Sequence, residues 1–326
     1  MTRQAAVLVT GAGGDVGAVS PLIVKMMIHK GYPVRAFVRR DDERADSLRR
    51  VGAQVFVGDL LDVADVAAAL AGCRRVYFSM SLSPYYSDAV TLMAAAARAQ
   101  GDIEVFVNMS EYEQAFMTFG LMAAPLAQRR QVLSANVTQW SPQQRAHWVA
   151  EQVLDWSGLP VVNIRATIFV ENPLLSRFPL PSIMDDGELR LPYGTKRVAP
   201  IAGYDVGAVC ANILADPTDH ICRSYALTGA HAIDMYQLAE DYAAVLGRPV
   251  SYIPQDADDW IEKHIRSALY AINPHAADHL ITLVQMVADG FYEKATGELE
   301  ALLGRPARTV RWALSTLIGQ PTRELQ

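Results

Sequence analysis

The stretch "VLVTGAGGDVG", residues 7 to 17, constrains this chain more than any other. A continuously apolar run over residues 5–10 ends in four glycines within seven residues. Short unbroken apolar runs are the mark of strands buried on both faces of a parallel sheet. A glycine-rich turn directly after such a strand, opening a helix, is where backbone approaches a bound phosphate. Gly11 permits the tight turn, Gly14 the approach to a pyrophosphate, and Gly17 the close packing of helix on strand. The helix start adds free N–H groups and the positive end of its dipole. Asp15 puts a carboxylate in this loop. At the first turn of a helix it can point outward or cap the N–H groups itself. Thr10, Gly11, Gly14, Asp15, Val16 and Gly17 are therefore expected to line a dinucleotide site.

The pattern after the loop alternates. A helix is expected over residues 16–30, stopped by Gly31, then a strand over 33–38 and a charged helix over 42–51. A third strand follows at 54–57, a helix capped by Asp62 ends near Gly72, and a fourth strand covers 75–80. An Ala-rich helix over 87–99 leads to a fifth strand at 103–109. Pro142 opens a helix that runs to Ser157, and the sixth strand covers 161–165. This βαβ rhythm predicts an α/β fold, a doubly wound parallel Rossmann sheet. Residues 1–170 form that domain, with a strand and helix returning to it from about 197–230. Residues 171–326 form a smaller, mainly helical C-terminal lobe that would bind substrate. In that lobe "DGELRLPYG" reads as a short hairpin, "RPVSYIP" as a strand, and the chain from Asp256 as three or four helices.

The second strand ends in "FVRRDD". A site selecting NAD commonly has a carboxylate there, against the ribose 2′-hydroxyl. Arg39 stands in that place with Arg40 beside it, and a guanidinium matches a 2′-phosphate in charge and geometry. NADP(H) is expected over NAD(H). The rival reading is a solvated basic face, since Asp41 and Asp42 follow at once. Asp59, with Leu60 after it, closes the third strand and could accept from the adenine amino group or simply hold a turn. Ser79, Met80 and Ser81 end the fourth strand, where ribose and pyrophosphate lie in such sheets.

Net charge is −6, which offers no basic face to a long phosphate backbone, so no nucleic-acid partner is expected. No apolar run approaches the ~20 residues that span a bilayer, and the glycines cut short any N-terminal leader. Cys73, Cys210 and Cys222 form no metal set and read as buried small hydrophobes in a reducing, cytoplasmic compartment. His275 and His279 have i, i+4 spacing but no third ligand near in sequence, so they read as surface histidines and no metal site is assigned.

The loop, "VRR", "GDLLD", "AEQVLDWSGLPVVNIRATIFVEN" and "IAGYDVGAVCANIL" together resemble the NmrA-like branch of the atypical short-chain dehydrogenases. The resemblance covers most of residues 5–230. It implies NADP(H) held by the Rossmann domain, a C-terminal lobe closing over the nicotinamide, and a small-molecule substrate; a homodimer stays open. Members include quinone and dye reductases and regulators that bind the cofactor without turnover. His147, four residues before Glu151, stands where relatives often carry Lys or His near the nicotinamide ribose. The Tyr-x-x-x-Lys pair of ordinary short-chain dehydrogenases is absent, since Tyr112 is followed by Phe116.

Ser110, beside Met109 at the end of the fifth strand, is placed to bond substrate or the cofactor amide, or merely its own backbone. His147, Ser110 and Tyr112 are the catalytic candidates; an imidazole with its usual midpoint of ~6.5 can donate a proton or hold a ribose hydroxyl. It could equally be a helix-face histidine packed with Trp140 and Trp148. Ile168 and Phe169, leaving the sixth strand, are expected at the carboxamide. Met117, Phe119, Leu121 and Met122 form either an apolar lid or core. The chain thus reads as an NADPH-dependent reductase of an aromatic, quinone-like or conjugated carbonyl compound. Its alternatives are an NADP(H)-sensing regulator and a redox-neutral isomerase or lyase.

Overall fold

The computed structural model describes residues 5–13, 18–133 and 139–319. Two compact units emerge. The first comprises Met1–Met117, Pro142–Ala166 and Val206–Ala226; the second comprises Thr118–Ser141, Thr167–Asp205 and Leu227–Gln326.

In chain order the elements begin β1 (Ala6–Val9), α1 (Val19–His29), β2 (Val34–Val38), α2 (Glu43–Arg50), β3 (Gln54–Val57) and α3 (Val63–Leu70). They continue β4 (Cys73–Phe78), α4 (Tyr86–Gln100), β5 (Val105–Glu111), α5 (Phe119–Ala123), α6 (Leu126–Leu133), α7 (Pro142–Ser157) and β6 (Val161–Ala166). The remainder are α8 (Leu180–Asp186), β7 (Glu188–Leu191), α9 (Gly203–Ala215), β8 (Arg223–Leu227), α10 (Met235–Leu246), β9 (Ser251–Pro254), α11 (Ala257–Ile261), α12 (Ser267–Leu269), α13 (Pro274–Ala288), α14 (Glu298–Leu303) and α15 (Val310–Ile318).

The main sheet has seven strands in the order β3-β2-β1-β4-β5-β6-β8, and the pairings from β3 to β6 are parallel. The winding reverses between β1 and β4, and ligands of open α/β sheets bind in the crevice at that reversal. The expected doubly wound Rossmann sheet is therefore present. Its strands form because Val7, Leu8, Val9, Val76, Phe78 and Phe106 are all fully buried, as runs of mostly apolar residues must be between two helical layers. Tyr86, Val90 and Met93 of α4 and Leu154 of α7 share one core cluster with Leu8, Val76 and Phe106. Side chains of this size each contribute about 1.5–3 kcal/mol on burial.

Helix starts follow local chemistry. Asp62 accepts from the N–H groups of Ala64 and Asp65, as the sequence predicts, and Asp42 does the same for Arg44 and Ala45. The fifth strand runs two residues further than expected, through Ser110 to Glu111. The polar side chains of Ser110 and Glu111 disguise a segment paired with Arg165 and Ala166.

The second unit departs from expectation in its sheet. Glu188–Leu191 is no hairpin arm: β7 pairs in parallel with β9, so Leu189 lies opposite Tyr252. Parallel partners need a long crossover, and the two segments are some sixty residues apart in sequence. His279 is no surface histidine. It lies on the inner face of α13, 4% exposed, with Nδ1 3.0 Å from Ser141 Oγ. Cys73 and Cys210 are buried as expected, but Cys222 is exposed in the turn before β8. Met117 is buried and belongs to the first unit, whereas Phe119 is exposed on the second.

Candidate functional site

The first unit's switch point is closed by one threonine. Thr10, at the end of β1, donates its hydroxyl to the Ser79 carbonyl at 2.8 Å and accepts from the Ser79 N–H at 2.9 Å. Its backbone N–H reaches the Tyr77 carbonyl at 3.0 Å. Thr10 is fully buried, so its side chain shapes the crevice by joining β1 to β4. Gly11 then turns at φ +65°, and a Cβ there would stand 2.7 Å from the Ser79 carbonyl oxygen. A side chain is excluded by both sterics and backbone conformation, which leaves a bare backbone cradle suited to a diphosphate. Gly14, Asp15, Val16 and Gly17 lie outside the described residues. Ser79 and Met80 are half-buried beside Gly11, and Ser81 is exposed.

Arg39 and Arg40 leave β2 exposed. The two carboxylates that follow are engaged elsewhere: Asp41 pairs with Arg49 at 2.6 Å and Asp42 with Arg44 at 2.7 Å. Among the described residues neither Arg39 nor Arg40 has an ion-pair partner. Arg44 adds a third cation that sequence reasoning missed. Its Nη1 donates to the Gly13 carbonyl at 2.9 Å, so α2 reaches back to the glycine loop. The charged run "DDERADSLRR" hides this role, because Arg44 looks like an ordinary exposed helix residue. Asp59 is half-buried, and its Oδ1 accepts from the Leu61 N–H at 3.0 Å; it holds the turn after β3, with Leu60 within that turn.

Further along the same side of the sheet, at the ends of β5 and β6, lies a buried polar cluster. Ser110 donates to Glu151 Oε1 at 2.6 Å. Arg165 grips the same carboxylate with Nε at 3.2 Å and Nη2 at 2.6 Å. The Ser110 hydroxyl is thus committed to a lock that ties β5, β6 and α7 together. Met109 just before it accepts from the Tyr86 hydroxyl at 3.0 Å.

His147 is one turn before Glu151 on the same face of α7, and only 6% exposed. Its ring lies against Tyr86, centroids 4.1 Å apart, and its Nε2 is 3.5 Å from Glu111 Oε1. Burial, then the nearby Glu113, pushes the Glu111 carboxyl well above the usual carboxylate range. Glu113 is itself buried and accepts from the Gln144 amide at 2.9 Å. Tyr112 is 2% exposed and packs edge-on against Phe116. Sequence reasoning missed Glu111 and Tyr86, and it weighed Glu113 and Arg165 without these partners. A carboxylate two residues past an expected strand end reads as solvated turn, and nothing local signals otherwise.

Ile168 and Phe169 belong to the second unit. Ile168 is buried and accepts from the Ile201 N–H at 3.0 Å, and Phe169 bridges to Ile201. Among the described residues no group of three or more His, Cys, Asp or Glu side chains could hold a metal, and no helix is long and apolar enough to cross a membrane.

A family model described as NAD(P)H-binding matches residues 11–217, well over half of the chain. The chain belongs to this NAD(P)H-binding family. Its members bind a dinucleotide, and the cradle between Gly11 and Ser79 fits one. The NAD(P)H-binding chain is 27% identical over 308 residues to an NAD(P)H azoreductase of Xenophilus azovorans, covering 93% of this chain and 94% of that one. It is 29% identical over 306 residues to a (4-alkanoyl-5-oxo-2,5-dihydrofuran-3-yl)methyl phosphate reductase of Streptomyces griseus, covering 94% and 95%. Its fold is that of NmrA, a negative transcriptional regulator solved in complex with NADP. That likeness has a TM-score of 0.74 at 17% identity, covering 98% of this chain and 99% of NmrA. The resemblance to the NmrA-like group read from the sequence is borne out.

Proposed function

We propose that this NAD(P)H-binding protein is an NADPH-dependent reductase that passes hydride to a small aromatic, quinone-like or conjugated acceptor. The observation that carries this reading is similarity along almost the whole chain to two proteins named as reductases. One is named for azo compounds, and the name of the other contains an unsaturated lactone; both offer a reducible double bond. When bound, the reduced nicotinamide supplies the hydride.

The chain's own residues supply the rest. Gly11 and the loop after it approach the diphosphate with backbone alone. Arg39 and Arg40 receive the 2′-phosphate, because Asp41 and Asp42 are drawn away by Arg49 and Arg44. This favours NADPH over NADH. The lack of Tyr-x-x-x-Lys argues against a tyrosinate route to simple ketones and leaves His147 as the candidate proton donor.

The test is a screen of purified protein with NADPH and NADH against quinones, enones, imines and azo dyes. We expect NADPH oxidation above background with at least one class and a lower KM for NADPH than for NADH. No oxidation with any class would overturn the reductase reading. Equal KM values would overturn the assignment of Arg39 and Arg40.

A further inference from the structure

Glu111 is the last residue of β5 and His147 lies in the second turn of α7, so the C-terminal end of an inner strand and the helix bring a carboxylate and an imidazole together. Oε1 and Nε2 are 3.5 Å apart, with both side chains largely out of water. The neighbouring groups are already committed. Arg165 is bound through both nitrogens to Glu151, which also accepts from Ser110. The Tyr86 hydroxyl is spent on the Met109 carbonyl while its ring supports the imidazole. Glu113 accepts from Gln144 and adds a second negative group near Glu111.

We propose that Glu111 and His147 form a single proton-holding couple, and that this couple supplies the proton that accompanies hydride transfer. The inference rests on the reductase reading above and deepens it.

The charge balance supports it. Glu151 and Arg165 cancel. Glu113 is buried and Glu111 largely so, and a carboxylate taken out of water is costly to keep charged. Burial and Glu113 both hold the Glu111 carboxyl toward its protonated form. That proton is shared between Oε1 and Nε2, 3.5 Å apart. In its charge-separated form the couple is an imidazolium beside a carboxylate.

The acceptor's double bond gains a hydride, with its two electrons, at one atom and a proton at the other. That proton leaves the imidazolium at Nδ1, while the Nε2–H stays on Glu111. The couple is left as neutral imidazole and carboxylate, and solvent returns one proton. His147 is the donor here, and Glu111 acts through it as a positioning residue.

The test reads His147 directly. Imidazole nitrogen shifts of the intact protein are followed by NMR across pH 5 to 10 and assigned with H147Q. We expect a two-step His147 curve in the unsubstituted protein, because coupled groups titrate as a pair. In E111Q the curve becomes single and its midpoint falls by about one unit or more, since the opposite charge is gone.

Steady-state NADPH oxidation with 1,4-benzoquinone and with methyl red is measured in parallel. The high-pH fall in kcat should begin about one unit lower in E111Q, a roughly tenfold loss at pH 8, with the Kd for NADPH within about twofold. A single-step His147 curve in the unsubstituted protein overturns the couple even if E111Q fails to fold. Equal midpoints in the two proteins overturn it as well. An unmoved high-pH limb overturns the delivery step alone. Failure of the unsubstituted protein to oxidise NADPH refutes the reductase reading and delivery together, and the NMR curves still decide the couple.

Discussion

At the scale of single residues, the cofactor end of the site depends on which charges are already taken. Asp41 and Asp42 stand beside the two arginines in sequence, yet both carboxylates turn to Arg49 and Arg44. Reversing Arg39 to Asp should weaken NADPH ten- to a hundredfold, from about 1.5–3 kcal/mol for a charged hydrogen bond. NADH should be little changed, and titration calorimetry with both cofactors checks this. Equal losses would sink the 2′-phosphate role. Gly11 makes a different demand. Gly11→Ala places a Cβ against the Ser79 carbonyl at a positive φ, and should cost about 2 kcal/mol or more of stability in denaturant unfolding. Wild-type stability in that variant would mean the turn can relax away from β4.

At the scale of elements, strands and helices of the first unit were legible because their causes are local. Buried parallel strands read as apolar runs, and Asp62 announces its helix through a cap that Asp62→Ala should remove at about 1 kcal/mol, measured by urea unfolding. The β7–β9 pairing was not legible, since parallel partners are chosen by a distant crossover rather than by neighbouring residues. The same reason hid the polar cluster. His147 and Glu151 show their i, i+4 relation in sequence, but Arg165 and Glu111 arrive from other strands. Ser110 was correctly placed at a strand end. Its hydroxyl, however, is bound to Glu151, a partner 41 residues away.

At the scale of the whole molecule, buried titratable groups set opposing pH slopes. Burial, and then His275, pushes His279 down to about 3. An unfolded histidine binds its proton near ~6.5, so between these values the unfolded state holds more protons. Stability then rises with pH, by at most about 1.4 kcal/mol per unit for one proton. Glu111 and Glu171 are pushed up by burial, and their sign is opposite: the folded state holds more protons, so stability falls as pH climbs past the ordinary carboxylate range. Thermal melts from pH 4 to 9 should show an acid-side loss starting below about 6.5. That loss should be shallower in H279N, and an unchanged acid limb would refute the assignment. The Ser110–Glu151–Arg165 lock has a consequence for how such a site could change over time. It fixes the rotation of α7 by contacts one turn away from position 147, so the donor proposed there is a tool in a holder that does not depend on it. Exchanging that tool leaves the holder intact, and one scaffold can thereby pass from one proton chemistry to another through a single codon.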